Sequence, residues 1–184
     1  GLIKSDVLSV DIPQERLTQA KETITVLGDE FVGAFPWVKN SYPVLKDPIE
    51  LLLNNTWRSM LSVTGAEGLP QIEDSGNVLR PYTGLKLSLR LPPTLEVEKA
   101  QFFLENLLLS NPPYGANVSL KFEEPASGWN APPLQPWLEN AVQKASKNVY
   151  EKNALYMGEG GTIPFMAMLG EAFPEAQFVI TGVL

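Results

Sequence analysis

Apolar positions in the first part of the chain recur at helical spacing. Leu17, Ala20, Ile24 and Leu27 stand three and four residues apart, which puts them on one face and predicts a helix over residues 12–27. Gly28 and Gly33 break that helix, and Pro36 and Pro43 mark residues 33–46 as loop. Asp47 followed by Pro48 is a helix start, because the carboxylate accepts from free backbone N–H groups and proline fits the first turn. A second helix is therefore expected to run to about Trp57.

Beyond Trp57 the period changes from helical to alternating. Residues 60–64 read as a strand ending at Gly65. Residues 85–91 alternate strictly, leucine on one face and Lys86, Ser88 and Arg90 on the other, which predicts a half-buried strand stopped by Pro92 and Pro93. Thr94 is expected to cap the next helix, with Glu96 and Glu98 in its first turn and a buried stripe of Val97, Ala100, Phe103 or Leu104, and Leu107. Residues 117–122 alternate again, with Val118, Leu120 and Phe122 facing one way. The order ββαβ predicts an α+β unit: an antiparallel sheet with helices on one side.

Prolines 125, 132, 133 and 136, with Gly128, suggest a domain boundary. After it, Leu134, Leu138, Ala141, Ala145 and Val149 predict an amphipathic helix, and a shorter helix follows to about Phe173. Residues 178–184 are almost continuously apolar, which suits a strand buried on both faces. Helix, loop, helix, strand is the α/β pattern. The chain thus joins an α+β unit to a piece of an α/β unit.

Composition narrows the chemistry. The 184 residues include neither histidine nor cysteine. Catalytic zinc sites nearly always include histidine, and histidine is the commonest general base, so this chain is not expected to hold a catalytic zinc or run a histidine mechanism on its own. Either the protein needs neither residue, or the chain is part of an enzyme whose histidines lie elsewhere. Gly1 in place of methionine and the terminal apolar strand favour the second. A net charge of −7 argues against nucleic-acid binding. No apolar run approaches the roughly 20 residues a membrane helix needs, and no signal peptide is visible. Without cysteine there is no disulfide framework, which allows a reducing compartment without showing one, and the location expected is cytoplasmic.

Three features suggest ligand chemistry, each beside a plainer reading. Gly160-Gly161-Thr162 leads into a helix with Pro164 in its first turn, where free N–H groups and the helix dipole suit an anion. The same residues also describe a simple loop with a threonine cap. Arg90 can fork onto a carboxylate or can face solvent. Asn77 can donate an amide to a substrate or can shape a turn. Glu67 and Glu159 are isolated carboxylates that form no acid–base pair unless the fold brings them together.

These fragments stand in a recognisable order. Trp57-Arg58-x-x-Leu61-Ser62-x-x-Gly65-x-Glu67-Gly68 is followed by Asn77-Val78-Leu79-Arg80-Pro81 and Leu87-Ser88-Leu89-Arg90-Leu91-Pro92-Pro93. Then come Glu159-Gly160-Gly161-Thr162-Ile163-Pro164 and a final apolar strand. The order and spacing resemble the M20 zinc metallopeptidases, most closely their carnosinase-like dipeptidase branch.

The resemblance implies a zinc-binding lobe interrupted by a lid, or dimerisation, domain with a β-α-β-β-α-β sheet, of which this chain holds a part. Residues 1–58 would be a helical extension of the lid, 59–124 the lid core and 125–184 a return into the catalytic lobe. The zinc ligands and catalytic glutamate would lie outside this chain, which would bind no metal. Arg90 would bind the substrate's carboxylate, Asn77 would supply a polar contact, and Gly160, Gly161 and Thr162 would receive the C-terminal carboxylate. The implied partners are a peptide or dipeptide and a second subunit joined through the lid. Two alternatives stay open: a stand-alone dimerisation or ligand-binding module, since a fold does not fix a function, and an amidohydrolase of the same superfamily acting on N-acyl amino acids.

Overall fold

The first 57 residues make a core of their own. The computed structural model describes residue 3 and residues 5–159 and 164–182. Helix α1 spans Gln14–Leu27, the short α2 Asp29–Gly33 and α3 Pro48–Thr56. Asp47 accepts a hydrogen bond from the Ile49 N–H at 2.9 Å, so α3 starts on the cap that the sequence predicts. Ala20 and Ile24 of α1 pack on Leu52 and Leu53 of α3 and on Trp57, all buried, with Leu17, Phe31 and Ile49 at the margin. Each fully buried leucine or isoleucine here contributes about 1.5–3 kcal/mol. Ser59, also buried, donates to the Leu8 carbonyl at 2.5 Å and pins the N-terminal segment to the end of this unit.

Strand β1, Met60–Glu67, pairs antiparallel with β2, Gly84–Arg90, from Met60 opposite Arg90 to Glu67 opposite Gly84. Gly65 does not end β1 as expected. The register shifts between Val63 and Gly65, so Thr64 bulges out and the ladder resumes; a glycine inside a strand marks a bulge as readily as a stop. Gly68 begins the loop joining the strands at a φ of 76°, where an added Cβ would lie 2.4 Å from the Tyr82 carbonyl oxygen. A 3-10 turn, Ile72–Asp74, lies within the loop.

Helix α4, Val97–Leu109, starts later than expected. Thr94 is taken up in a turn in which the Leu95 N–H bonds the Pro92 carbonyl, and Glu96 stands at the cap position with its carboxylate turned to Lys99 Nζ at 2.9 Å rather than to a backbone N–H. Of the predicted stripe, Val97 and Ala100 are buried, Phe103 and Leu104 half-buried, and Leu107 is 62% exposed. In residues 117–122 Leu120 and Phe122 are half-buried but Val118 is exposed, and the segment joins no ladder, so among the described residues the sheet has two strands. Alternation gives a segment two faces; only a free neighbouring edge makes it a strand. Just beyond this segment an exposed ion pair, Lys86 Nζ to Glu123 Oε1 at 2.7 Å, reaches β2 and holds the Glu123 carboxyl below its usual range.

Helix α5, Pro136–Tyr150, lies where a helix is expected; of its predicted stripe Leu134 and Leu138 are half-buried, but the later positions are not covered. Ala141, Ala145 and Val149 are exposed, while Leu138, Glu139, Val142, Gln143 and Ser146 are half-buried. The partner of this face is backbone. Gln143 donates to the Ala154 carbonyl at 3.1 Å and accepts from the Ala154 N–H at 3.0 Å, filling both polar groups of one residue as a neighbouring strand would. Helix α6 spans Pro164–Ala172. Residues 178–182 join no ladder; Phe178 stacks edge-on against Trp129, and Val179 and Ile180 are exposed. Val183 and Leu184 of the expected strand lie outside the described residues. The architecture is α+β: six helices and one small antiparallel sheet among the described residues.

Candidate functional site

Arg90 is the last residue of β2 and is half-buried. Its register opposite Met60 puts it at the end of the hairpin nearest α3. There its Nη1 donates to Asn55 Oδ1 at 3.5 Å. Arg58 makes a different contact with the same helix: its Nη1 meets Glu50 Oε2 and Asn54 Oδ1, both at 2.7 Å. One arginine is therefore paired with a carboxylate, and the other meets only a neutral amide. Among the described residues no carboxylate forms an ion pair with Arg90.

The segment leading to Gly160 passes the same turn of α3. Thr56 lies against Gly158, where an added Cβ would come within 3.1 Å of the Thr56 Cβ. Two residues earlier the Tyr156 carbonyl accepts from Thr23 Oγ1 at 2.9 Å, and the Tyr156 hydroxyl donates to Glu139 Oε2 at 2.7 Å. Burial, and then the bond to Glu139, pushes the Tyr156 phenol up to about 12. Thus α1, α3 and α5 together fix the approach to the glycine pair. Gly160, Gly161 and Thr162 themselves lie outside the described residues.

The other two candidates stand apart. Asn77 is exposed in the loop that joins β1 to β2, at the end of the hairpin opposite Arg90; six residue steps along β2 span roughly 20 Å. Glu67 is at that far end too, accepting from the Tyr82 hydroxyl at 3.2 Å, whereas Glu159 follows Gly158 at the α3 end. The fold does not bring these two carboxylates together. Asn55 and Thr56 were not singled out in the sequence. Two asparagines in a helix's last turn are a usable signal, since they favour helix poorly and place amides at its carbonyl end.

An open cleft of about 470 Å³ lies between residues 124–127 and α6, with Glu124 and Glu171 on its walls. Among the described residues no group of three or more His, Cys, Asp or Glu side chains is placed to hold a metal ion. Nor is any helix there long and apolar enough to cross a membrane. The donor set does not fit a zinc centre. What the α3 end offers is a guanidinium with an uncommitted charge, suited to an anion.

No family model matches the chain. It is 26% identical over 173 residues to the cysteinylglycine-S-conjugate dipeptidase of Corynebacterium striatum, a match covering 93% of this chain and 35% of that enzyme. Its fold is similar to that of the dipeptidase Dug1p from Saccharomyces cerevisiae, with a TM-score of 0.62 and 19% identity over 92% of this chain and 35% of that one. It is also similar to human carnosine dipeptidase 1, with a TM-score of 0.51 and 18% identity over 88% of this chain and 34% of that one. These relatives are dipeptidases, as the resemblance in the sequence implies, and the chain spans about a third of their length.

Proposed function

We propose that this chain is part of a zinc-dependent dipeptidase of the M20 type and that it binds the substrate's carboxylate. The observation that carries the reading is Arg90 at the α3 end of the hairpin, unpaired with acid among the described residues and set on Asn55, whose neighbour Thr56 meets Gly158 of the segment that leads to Gly160. A planar guanidinium suits a carboxylate in a two-pronged contact. Similarity to dipeptidases over about nine-tenths of the chain supports the choice of a dipeptide. Gly160, Gly161 and Thr162 would add backbone N–H groups for the same carboxylate. Asn77 would reach substrate only after rearrangement of its loop or from a second subunit.

With no histidine or cysteine in the chain, zinc would be held by residues outside it. The chain's part is to bind and orient the substrate. A second subunit would join through the hairpin and α4, which in the M20 frame belong to the lid, and whose Leu87, Phe102 and Leu107 stand uncovered.

The test is Arg90→Ala in the full-length protein, assayed on a dipeptide with a free C-terminal carboxylate. Loss of a charge-assisted contact should lower kcat/KM by about 10- to 100-fold, mainly through KM. Unchanged kinetics would reject Arg90 as a substrate ligand. A monomeric mass for the full-length protein in solution would reject the subunit contact.

A further inference from the structure

Two arginines meet α3, and the structure treats them differently. Arg58 is neutralised by Glu50 at 2.7 Å. Arg90 meets the Asn55 amide, in the last turn of α3. An amide oxygen can fix the direction of a guanidinium while leaving its full charge, which an aspartate could not do. The carbonyl end of a helix favours a cation at that position as well. The Asn55 contact uses Nη1 and leaves the edge formed by Nε and Nη2 whole, the geometry a carboxylate needs for two parallel bonds. Two residues on, fully buried Pro92 anchors the backbone that carries Arg90. At 3.5 Å the Asn55 contact is long for a hydrogen bond, so it orients the guanidinium only weakly.

We infer that Asn55 is a positioning residue for Arg90, holding the guanidinium in place without cancelling its charge so that its Nε/Nη2 edge takes the substrate's carboxylate. This rests on the role proposed above for Arg90. The proposal makes aspartate worse than alanine at position 55, because an ion pair with Asp would occupy the charge meant for substrate.

The experiment measures KM and kcat for a dipeptide with a free carboxylate in the full-length, zinc-loaded protein. The variants are Asn55→Ala, Asn55→Asp, Arg90→Ala and the Asn55→Ala/Arg90→Ala double. Asn55→Ala should raise KM roughly three- to tenfold with kcat little changed, and Asn55→Asp should raise it further. In the Arg90→Ala background Asn55→Ala should add nothing. If Arg90→Ala raises KM but neither Asn55 variant does, the Asn55 role is overturned and the Arg90 role stands. If Asn55→Ala costs as much without Arg90 as with it, or Asp is no worse than Ala, Asn55 is merely structural and the inference is overturned. If Arg90→Ala has no effect, both fall.

Discussion

The helical unit before residue 58 closes a core of its own, whereas in the hairpin unit after it the buried apolar residues are Pro92 and, in α4, Val97 and Ala100, and most of the larger apolar side chains of the sheet stay open. In the first, Leu52 and Leu53 of α3 are 2% and 3% exposed, closed against Ile24 and Trp57. In the second, Leu85 of β2 is 57% exposed, Val63 of β1 60% and Phe102 of α4 68%. Two helices and a tryptophan make a core at short range, since each covers the other's stripe. A two-stranded sheet has two faces and two edges, and is marginal until another layer covers it. An apolar pattern states which side must be covered, but not by what. On the proposed reading, the cover for the hairpin comes from the rest of the dipeptidase and its second subunit.

Truncations in the two units would break this contrast if they cost the same. Trp57→Ala removes a buried ring from the helical core and should destabilise the chain by about 3–5 kcal/mol, read from urea unfolding followed by circular dichroism. Leu87→Ala, at a side chain 45% exposed, should cost under ~1 kcal/mol in the same measurement. The difference should narrow in the full-length protein, where the proposed partners cover Leu87. A Leu87→Ala cost equal to that of Trp57→Ala in the chain itself would refute the contrast.

The legibility of the sequence follows the same division. The Asp47 cap and the helical stripe of α1 were readable because each depends on residues close in sequence; β2 forms where its alternation predicts a strand, but Leu85 and Leu87 of its apolar face are exposed rather than half-buried. Residues 117–122 and 178–182 have strand-like patterns, yet whether they pair depends on an edge supplied from elsewhere in space. Helix α5 was found by its period but its face was misassigned beyond Leu138, because the period counts only apolar side chains and its contact is the polar one through Gln143 and Glu139. At the candidate site Arg90 was visible as a charge on a strand. Asn55, 35 positions earlier, gains meaning only once the hairpin returns beside α3.

The segment after α5 adds a third way of joining parts, and gives the smallest expected effect. Residues 154–158 attach to α1 and α5 by polar bonds: Thr23 to the Tyr156 carbonyl, Gln143 to both sides of Ala154, and the Tyr156 hydroxyl to Glu139. The Tyr156 phenol keeps its proton to about 12 in the fold, against 10 for an ordinary tyrosine. As pH rises past 10 the unfolded chain releases this proton while the folded chain retains it, so rising pH favours unfolding. The contribution is complete below pH 10 and is lost as pH climbs through about 12. Solvent reaches the ring and screens the interaction, which keeps the effect small. Unfolding free energy measured from pH 9 upward should therefore fall more steeply for the native chain than for Tyr156→Phe, by a modest margin. Equal slopes would mean that neither burial of the Tyr156 ring nor its bond to Glu139 holds this segment. The approach to Gly160 would then rest on Thr23, on the two bonds between Gln143 and Ala154 and on the contact of Gly158 with Thr56.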